Sequence, residues 1–180
     1  MLQPYLPCAR VSTTHGVRGA LRLESLCDSP AVLASLPRMF LRAADGTMRP
    51  LRVLHASLQK QAVLASFAEI SSLEEAIPYR GAALYAARED LPLPEGAHFI
   101  ADLIGLPVID EKRGLLGTLD EVTRPAGQDL YTVRRPDGST FLFPAVSAFV
   151  RSVSLGEDGE EAGIRVSLID GFIPEDSDAD

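Results

Sequence analysis

No stretch of this sequence approaches the roughly 18–20 apolar residues that span a bilayer. Its opening, MLQPYLPCAR, lacks both the basic start and the apolar run of a secretory signal. The chain is therefore expected to be cytoplasmic. Cysteine is scarce, with only Cys8 and Cys27 present. Two such residues cannot build a disulfide framework and suit a reducing compartment, either as a single bridge or as two small buried thiols.

The residues of catalysis are thin as well. The three histidines, His15, His55 and His98, fall in separate segments. None has a second ligand at metal spacing, so no zinc site is expected. There is no Gly-Lys-Ser/Thr phosphate loop, no Gly-x-Ser-x-Gly elbow and no Gly-x-Gly-x-x-Gly turn. Thr14 beside His15 is no nucleophile and base, because neighbours on a strand face opposite sides. No catalytic residue, cofactor, metal or small-molecule substrate is expected.

What is present is ordinary globular material: 180 residues, 46% hydrophobic and 23% charged. That length suits two domains of about 80–100 residues. The charge is unevenly placed. Residues 1–97 hold ten basic and nine acidic side chains, whereas residues 98–180 hold seven basic and sixteen acidic, a net of −9. The first sixty residues alone carry eight basic and three acidic groups. Either both surfaces are simply solvated, or the acidic half meets a basic partner. It is ill suited to gripping phosphates, since nucleic-acid affinity comes largely from Lys and Arg.

Alternation dominates the hydrophobic pattern. Leu21 and Leu23 fall on one face and Arg22 and Glu24 on the other, the mark of a half-buried strand. Strands are read at Cys8–Thr14, Ala20–Leu26, Met39–Ala43, Leu51–Leu58, Ala62–Ala68 and Gly81–Ala87. Pro30–Leu36 reads as one helical turn. Ser72–Tyr79 reads as a short helix, capped by Ser71 or Ser72 and stopped by Pro78. These elements predict a small barrel over residues 1–87. Residues 88–97, polar with two prolines, read as a semi-rigid linker. A second strand-rich domain follows over 98–172, with strands at Leu106–Asp110, Leu115–Thr123, Leu130–Arg135, Thr140–Val146, Ala148–Leu155 and Ile164–Ile169. Pro144 is expected at a strand end or sheet edge. Residues 173–180 read as an acidic, disordered tail. The fold class is all-β.

Two features remain as candidate binding sites. In His15-Gly16-Val17-Arg18-Gly19 the glycines shape a turn. Arg18 is then either solvated or, with Arg22, in contact with RNA backbone, for which arginine is well suited. At His98-Phe99-Ile100, three bulky side chains in succession cannot all point inward if the chain is extended. Some are either exposed, as aromatics at binding surfaces are, or lodged at the domain junction.

The run Ala9-Arg-Val-x-x-x-His15-Gly-Val-Arg-Gly19-Ala-Leu-Arg-Leu23 resembles the opening of the RimM family of ribosome maturation factors. Asp102-Leu-Ile-Gly105-Leu-x-Val108, then Gly114-x-x-Gly117 and Asp129-Leu-Tyr131-x-Val133, resembles that family's PRC-barrel domain. Phe143-Pro-Ala-Val146, Ile164-x-Val166 and Gly171-Phe-Ile resemble its closing strands. Three blocks in series cover nearly the whole chain. The resemblance implies two β-barrel domains, a translation-factor-like barrel followed by a PRC barrel. It implies a non-catalytic factor, without cofactor, that binds small-subunit ribosomal protein nineteen in the head of the immature subunit and promotes assembly and rRNA processing. Partner contacts are then expected at His98, Phe99, Ile100 and Asp102, with possible rRNA proximity at Arg18 and Arg22. His15, Gly16, Gly19 and Gly105 are expected to be structural turn residues. The family's paired tyrosines and following tryptophan are His98-Phe99-Ile100 here, so contacts there are expected to rest on packing. The alternative is direct rRNA binding by the basic front barrel.

Overall fold

The computed structural model describes residues 2–157 and 159–174. The chain divides into two compact units, Met1–Glu95 and Gly96–Asp180.

In the first unit, six strands close into a barrel in the order β1-β2-β5-β4-β3-β6. They are β1 (Tyr5–His15), β2 (Ala20–Ser25), β3 (Arg38–Arg42), β4 (Met48–Gln59), β5 (Ala62–Phe67) and β6 (Ala83–Ala87). Alternation puts Leu21 and Leu23 of β2 fully inside, with Met39, Val63, Phe67 and Leu84. Helix α1 (Pro30–Ser35) has Ser29 as its cap and proline at its start, and its Leu33 plugs the core. The expected helix after β5 is shorter than read. Helix α2 (Leu73–Ala76) is capped by Ser72, and Ile77–Tyr79 tightens into a 3-10 turn because Pro78 lacks the N–H an α-helix needs. Ser71 donates to the Glu75 carboxylate from its N–H at 2.7 Å, completing a reciprocal cap.

The stretch expected to act as a linker is anchored at its start. The Arg88 N–H donates to the Pro4 carbonyl at 2.9 Å, and Arg38 of β3 donates to the Asp90 carboxylate at 2.7 Å. Leu91 packs on the first core. The ion pair and an apolar contact hold these residues against the first unit, where composition alone pointed to a semi-rigid linker.

The second unit is a six-stranded sheet in the order β10-β9-β8-β7-β12-β11. Its strands are β7 (Pro107–Asp110), β8 (Gly114–Thr123), β9 (Leu130–Arg134), β10 (Thr140–Pro144), β11 (Val150–Ser154) and β12 (Gly163–Val166). All pairings are antiparallel except β12 with β7. The sheet curls around one core in which Tyr131, Phe141 and Phe143 stack with Val108, Leu119 and Ile164. Edge strand β10 ends on Pro144, the place where a residue without an N–H does no harm to the ladder. Ile173, expected in the tail, packs against this core. The rest of the expected acidic tail, 175–180, lies outside the described residues.

Candidate functional site

The turn between β1 and β2 is rigid. Gly16 and Gly19 take φ of +73° and +78°, the left-handed region that glycine enters freely. A Cβ on Gly19 would collide with the Ser72 carbonyl, so only glycine allows the turn to lie against the cap of α2. The Leu73 N–H donates to the Val17 carbonyl at 3.1 Å and ties the two together. His15 and Arg18 are exposed on this turn, and Val17 at its tip is 81% exposed. Arg22 sits farther along β2, opposite Thr13 on one side and Leu64 on the other. Arg18 and Arg22 thus share one hairpin.

The entrance to the second unit is not extended. After Phe99, which occupies the cap position, the chain winds into helix α3 (Ile100–Leu103). One helical turn sends Leu103 inward, 4% exposed, and leaves Ile100 outward, 42% exposed. Apolar crowding at residues 98–100 is relieved by curling rather than by strand alternation. His98, Phe99 and Asp102 are half-buried. Gly105, at φ +88°, stops α3 and donates its N–H to the Leu119 carbonyl at 2.8 Å. Ile104, which the sequence reading passed over, is 42% exposed beside it.

The parallel pairing decides what lies near this helix. Ile164 of β12 is opposite Val108 of β7, and a Cβ on Gly163 would touch the Pro107 carbonyl at 3.3 Å. Parallel strands start at the same end. The segment before β7, carrying α3, and the segment before β12, carrying Glu157, Glu160 and Glu161, therefore emerge at one end of the sheet. All three glutamates are exposed.

Most other carboxylates of this unit are engaged by arginine. Asp129 accepts from Arg124 at 2.5 Å and Asp120 from Arg134 at 2.6 Å. The Arg134 guanidinium holds the Asp120 carboxyl below its ordinary range. Asp137 and Glu111 have arginines at 4.0 and 3.9 Å, and Arg113 bridges Asp110 and Asp170. Among the described residues, the acidity that sequence counting spread over the whole unit is thus largely paired on the sheet, Glu121 excepted, whereas no arginine is paired with the glutamates of the turn before β12. Chain order hid this, since α3 and that turn are more than fifty residues apart and only the strand pairing joins them.

Among the described residues, no three His, Cys, Asp or Glu side chains gather as a metal site. Burial pushes up the thiols of Cys8 and Cys27, both of which are unpaired. Cys27 donates to the Cys8 carbonyl at 3.6 Å. Among the described residues, no helix is long and apolar enough to cross a membrane.

A closed barrel followed by a curled sheet, with a braced basic turn on one unit and an acidic, apolar end on the other, defines a two-unit β protein equipped with binding surfaces. Comparison with known proteins gives the family. Residues 6–91 match the RimM N-terminal domain and residues 100–159 the RimM PRC barrel domain. A ribosome maturation factor RimM of Ruminiclostridium cellulolyticum is 33% identical over 170 residues, covering 94% of this chain and 98% of its own. That of Symbiobacterium thermophilum is 36% identical over 149 residues, covering 81% and 83%. A crystal structure of a 16S ribosomal RNA processing protein RimM from Pseudomonas aeruginosa is 26% identical, covers 93% of this chain and 99% of its own, and has a TM-score of 0.45. The chain belongs to the RimM family of ribosome maturation factors.

Proposed function

We propose that this protein binds a basic ribosomal protein, number nineteen of the small subunit, in the head of the immature particle, and so promotes subunit assembly and rRNA processing without catalysing a reaction. The observation that carries the reading is the shared sheet end: Ile100 and Ile104 offer apolar contact, and Glu157, Glu160 and Glu161 offer negative charge that, among the described residues, no arginine pairs with. Ribosomal proteins that must lie against rRNA are rich in Lys and Arg. Negative potential at this end steers such a protein in and disfavours RNA, and the apolar groups hold it once docked. Asp102, on the same helix, belongs to this surface, and His98 and Phe99 form its half-buried base.

The test is capture of the purified small-subunit protein by the full chain across a salt series. Affinity should fall as salt rises, and the triple change E157Q/E160Q/E161Q should lower the association rate about tenfold. An unchanged rate and salt slope in that variant would remove the proposed mechanism. A second reading, direct rRNA binding through Arg18 and Arg22, is favoured by the rigid presentation of the Val17 tip. Filter binding of naked rRNA distinguishes it: strong, salt-dependent affinity lost on R18A/R22A would make it the dominant mode.

A further inference from the structure

The opposite end of β1 carries a feature that neither reading uses. Tyr5 opens the strand and His15 closes it, so the two ends lie roughly 30 Å apart along an extended chain. On β3, Arg38, Phe40 and Arg42 alternate with the core residue Met39, and Phe40, only 6% exposed, lies covered between its neighbours. Phe40 is opposite Tyr85 of β6, and Tyr5 of β1 meets Phe40 edge-on with centroids 4.8 Å apart. The Arg38 guanidinium lies 5.4 Å from the Phe40 ring and that of Arg42 4.8 Å from the Tyr85 ring. Three aromatic rings and two arginines therefore interleave across adjacent strands.

The two arginines are not equivalent. Arg38 is committed to Glu89 and Asp90. Arg42 is exposed, and among the described residues no carboxylate pairs with it. Beside it opens a cleft of about 390 Å³ lined by Gln3, Pro4, Tyr5, Arg42, Gly46 and Met48. Its framework is fixed: Met48 and Arg42 face each other across the β3–β4 hairpin, and Arg88 donates to the Gln3 carbonyl at 2.9 Å. The nearby Asp45 carboxylate is occupied by the Thr47 N–H and hydroxyl at 2.9 and 2.6 Å.

A half-exposed ring, an apolar wall and a guanidinium that rests on Tyr85 without a carboxylate partner among the described residues are, at one cleft, what an unpaired nucleotide requires. Bases splayed out of single-stranded RNA stack on aromatic rings, and arginine meets the phosphate through its planar fork of donors. We propose that this cleft binds one unpaired base of single-stranded RNA, stacked on Tyr5 and walled by Met48, with Arg42 on the adjoining phosphate. The inference rests on the reading that this chain works on an immature, rRNA-containing particle, where unpaired segments are at hand. It assigns the RNA contact to the Tyr5 end of the barrel, not to the Arg18 turn.

The experiment uses the purified full chain and a fluorescein-labelled, unstructured eight-nucleotide RNA, read by anisotropy at about 50 mM salt. A duplex of the same length and free AMP and UMP serve as competitors. The single strand should bind, and R42A should weaken it about 10–100-fold, the worth of the charge-assisted hydrogen bonds from Arg42 to the phosphate. R42K should fall between wild type and R42A, and R18A/R22A should stay within about twofold of wild type. M48E, which blocks the cleft with a carboxylate while leaving Tyr5 and Phe40 in place, should abolish binding; melting curves verify that the barrel is folded. The proposal is overturned if the wild type ignores the single strand, if the duplex or a free mononucleotide competes equally, or if R42A and M48E bind as wild type does. Capture of the small-subunit protein is measured on the same variants. Failure of the cleft leaves that capture intact, whereas failure of the proposed function abolishes capture while oligonucleotide binding persists.

Discussion

The carboxylate of Asp110 accepts the backbone N–H of Leu168 at 2.9 Å, joining the end of β7 to a residue fifty-eight positions later. It also accepts the N–H groups of Lys112 and Arg113 at 3.0 Å each, and the Arg113 guanidinium at 3.3 Å. Arg113 reaches on to the Leu168 carbonyl and to Asp170. This single side chain, 2% exposed, shapes the β7–β8 turn and clamps the chain leaving β12.

Replacing Asp110 with asparagine should therefore destabilise the second unit by about 2–3 kcal/mol, because buried N–H donors lose a charged acceptor. Burial alone would raise the Asp110 carboxyl, but its three N–H donors and Arg113 together hold it below the ordinary range. A folded-state pKa lower than the unfolded value of about 3.9 gives stability that is full above that value and is lost as pH falls through the folded pKa. Thermal melts followed by circular dichroism should show D110N well below wild type at pH 7. The gap should close as pH drops below about 4. A gap that stays constant with pH would mean the carboxylate's charge plays no part.

Gly16 and Gly19 make a matched pair. Both have positive φ, but a Cβ on Gly16 meets nothing within 4 Å, whereas one on Gly19 strikes the Ser72 carbonyl. G16A should cost about 1 kcal/mol, the backbone penalty alone. G19A should cost at least about 2 kcal/mol more, since the hairpin must lift from α2. Urea titration of the two variants checks this, and equal midpoints would show that the brace contributes nothing.

That contrast shows where the sequence was legible. The strands of both units, the glycine turn and Pro144 at a strand end could be read because alternation, turn chemistry and the missing proline N–H act locally. The anchoring of Arg88–Leu91 is not legible locally, because Arg38 and the first core, distant in sequence, supply it. Helix α3 was missed because Phe99-Ile100-Ala101-Asp102 carries no cap of the Ser or Asp kind. The sheet end that gathers α3 and the acidic turn depends on one parallel pairing, and no local pattern announces that β12 runs alongside β7.

The cysteines should prove inert. Burial raises both thiols, and Cys8 is fully enclosed in the barrel core. Low reactivity follows, because the thiolate is the reacting species. Iodoacetamide at pH 7.5 should label Cys27 slowly and Cys8 only on unfolding. Mass spectrometry of digests checks this, and rapid native labelling of Cys8 would mean the barrel opens far more readily than its packing implies.

Apolar and acidic parts of the proposed protein-binding end should separate kinetically. Rim charge chiefly sets how fast partners meet, while desolvated apolar contacts set how long they stay. Ile100 and Ile104 are each 42% exposed, so changing both to serine leaves the core residue Leu103 in place and should cost little stability. I100S/I104S should raise the dissociation rate of the basic partner about tenfold and leave the salt dependence of association as in wild type. E157Q/E160Q/E161Q should do the reverse, slowing association and flattening its salt slope while dissociation changes little. Surface plasmon resonance at three salt concentrations resolves both rates. If the two sets of substitutions alter the same rate constant, or neither, the apolar and acidic groups do not act as one docking surface.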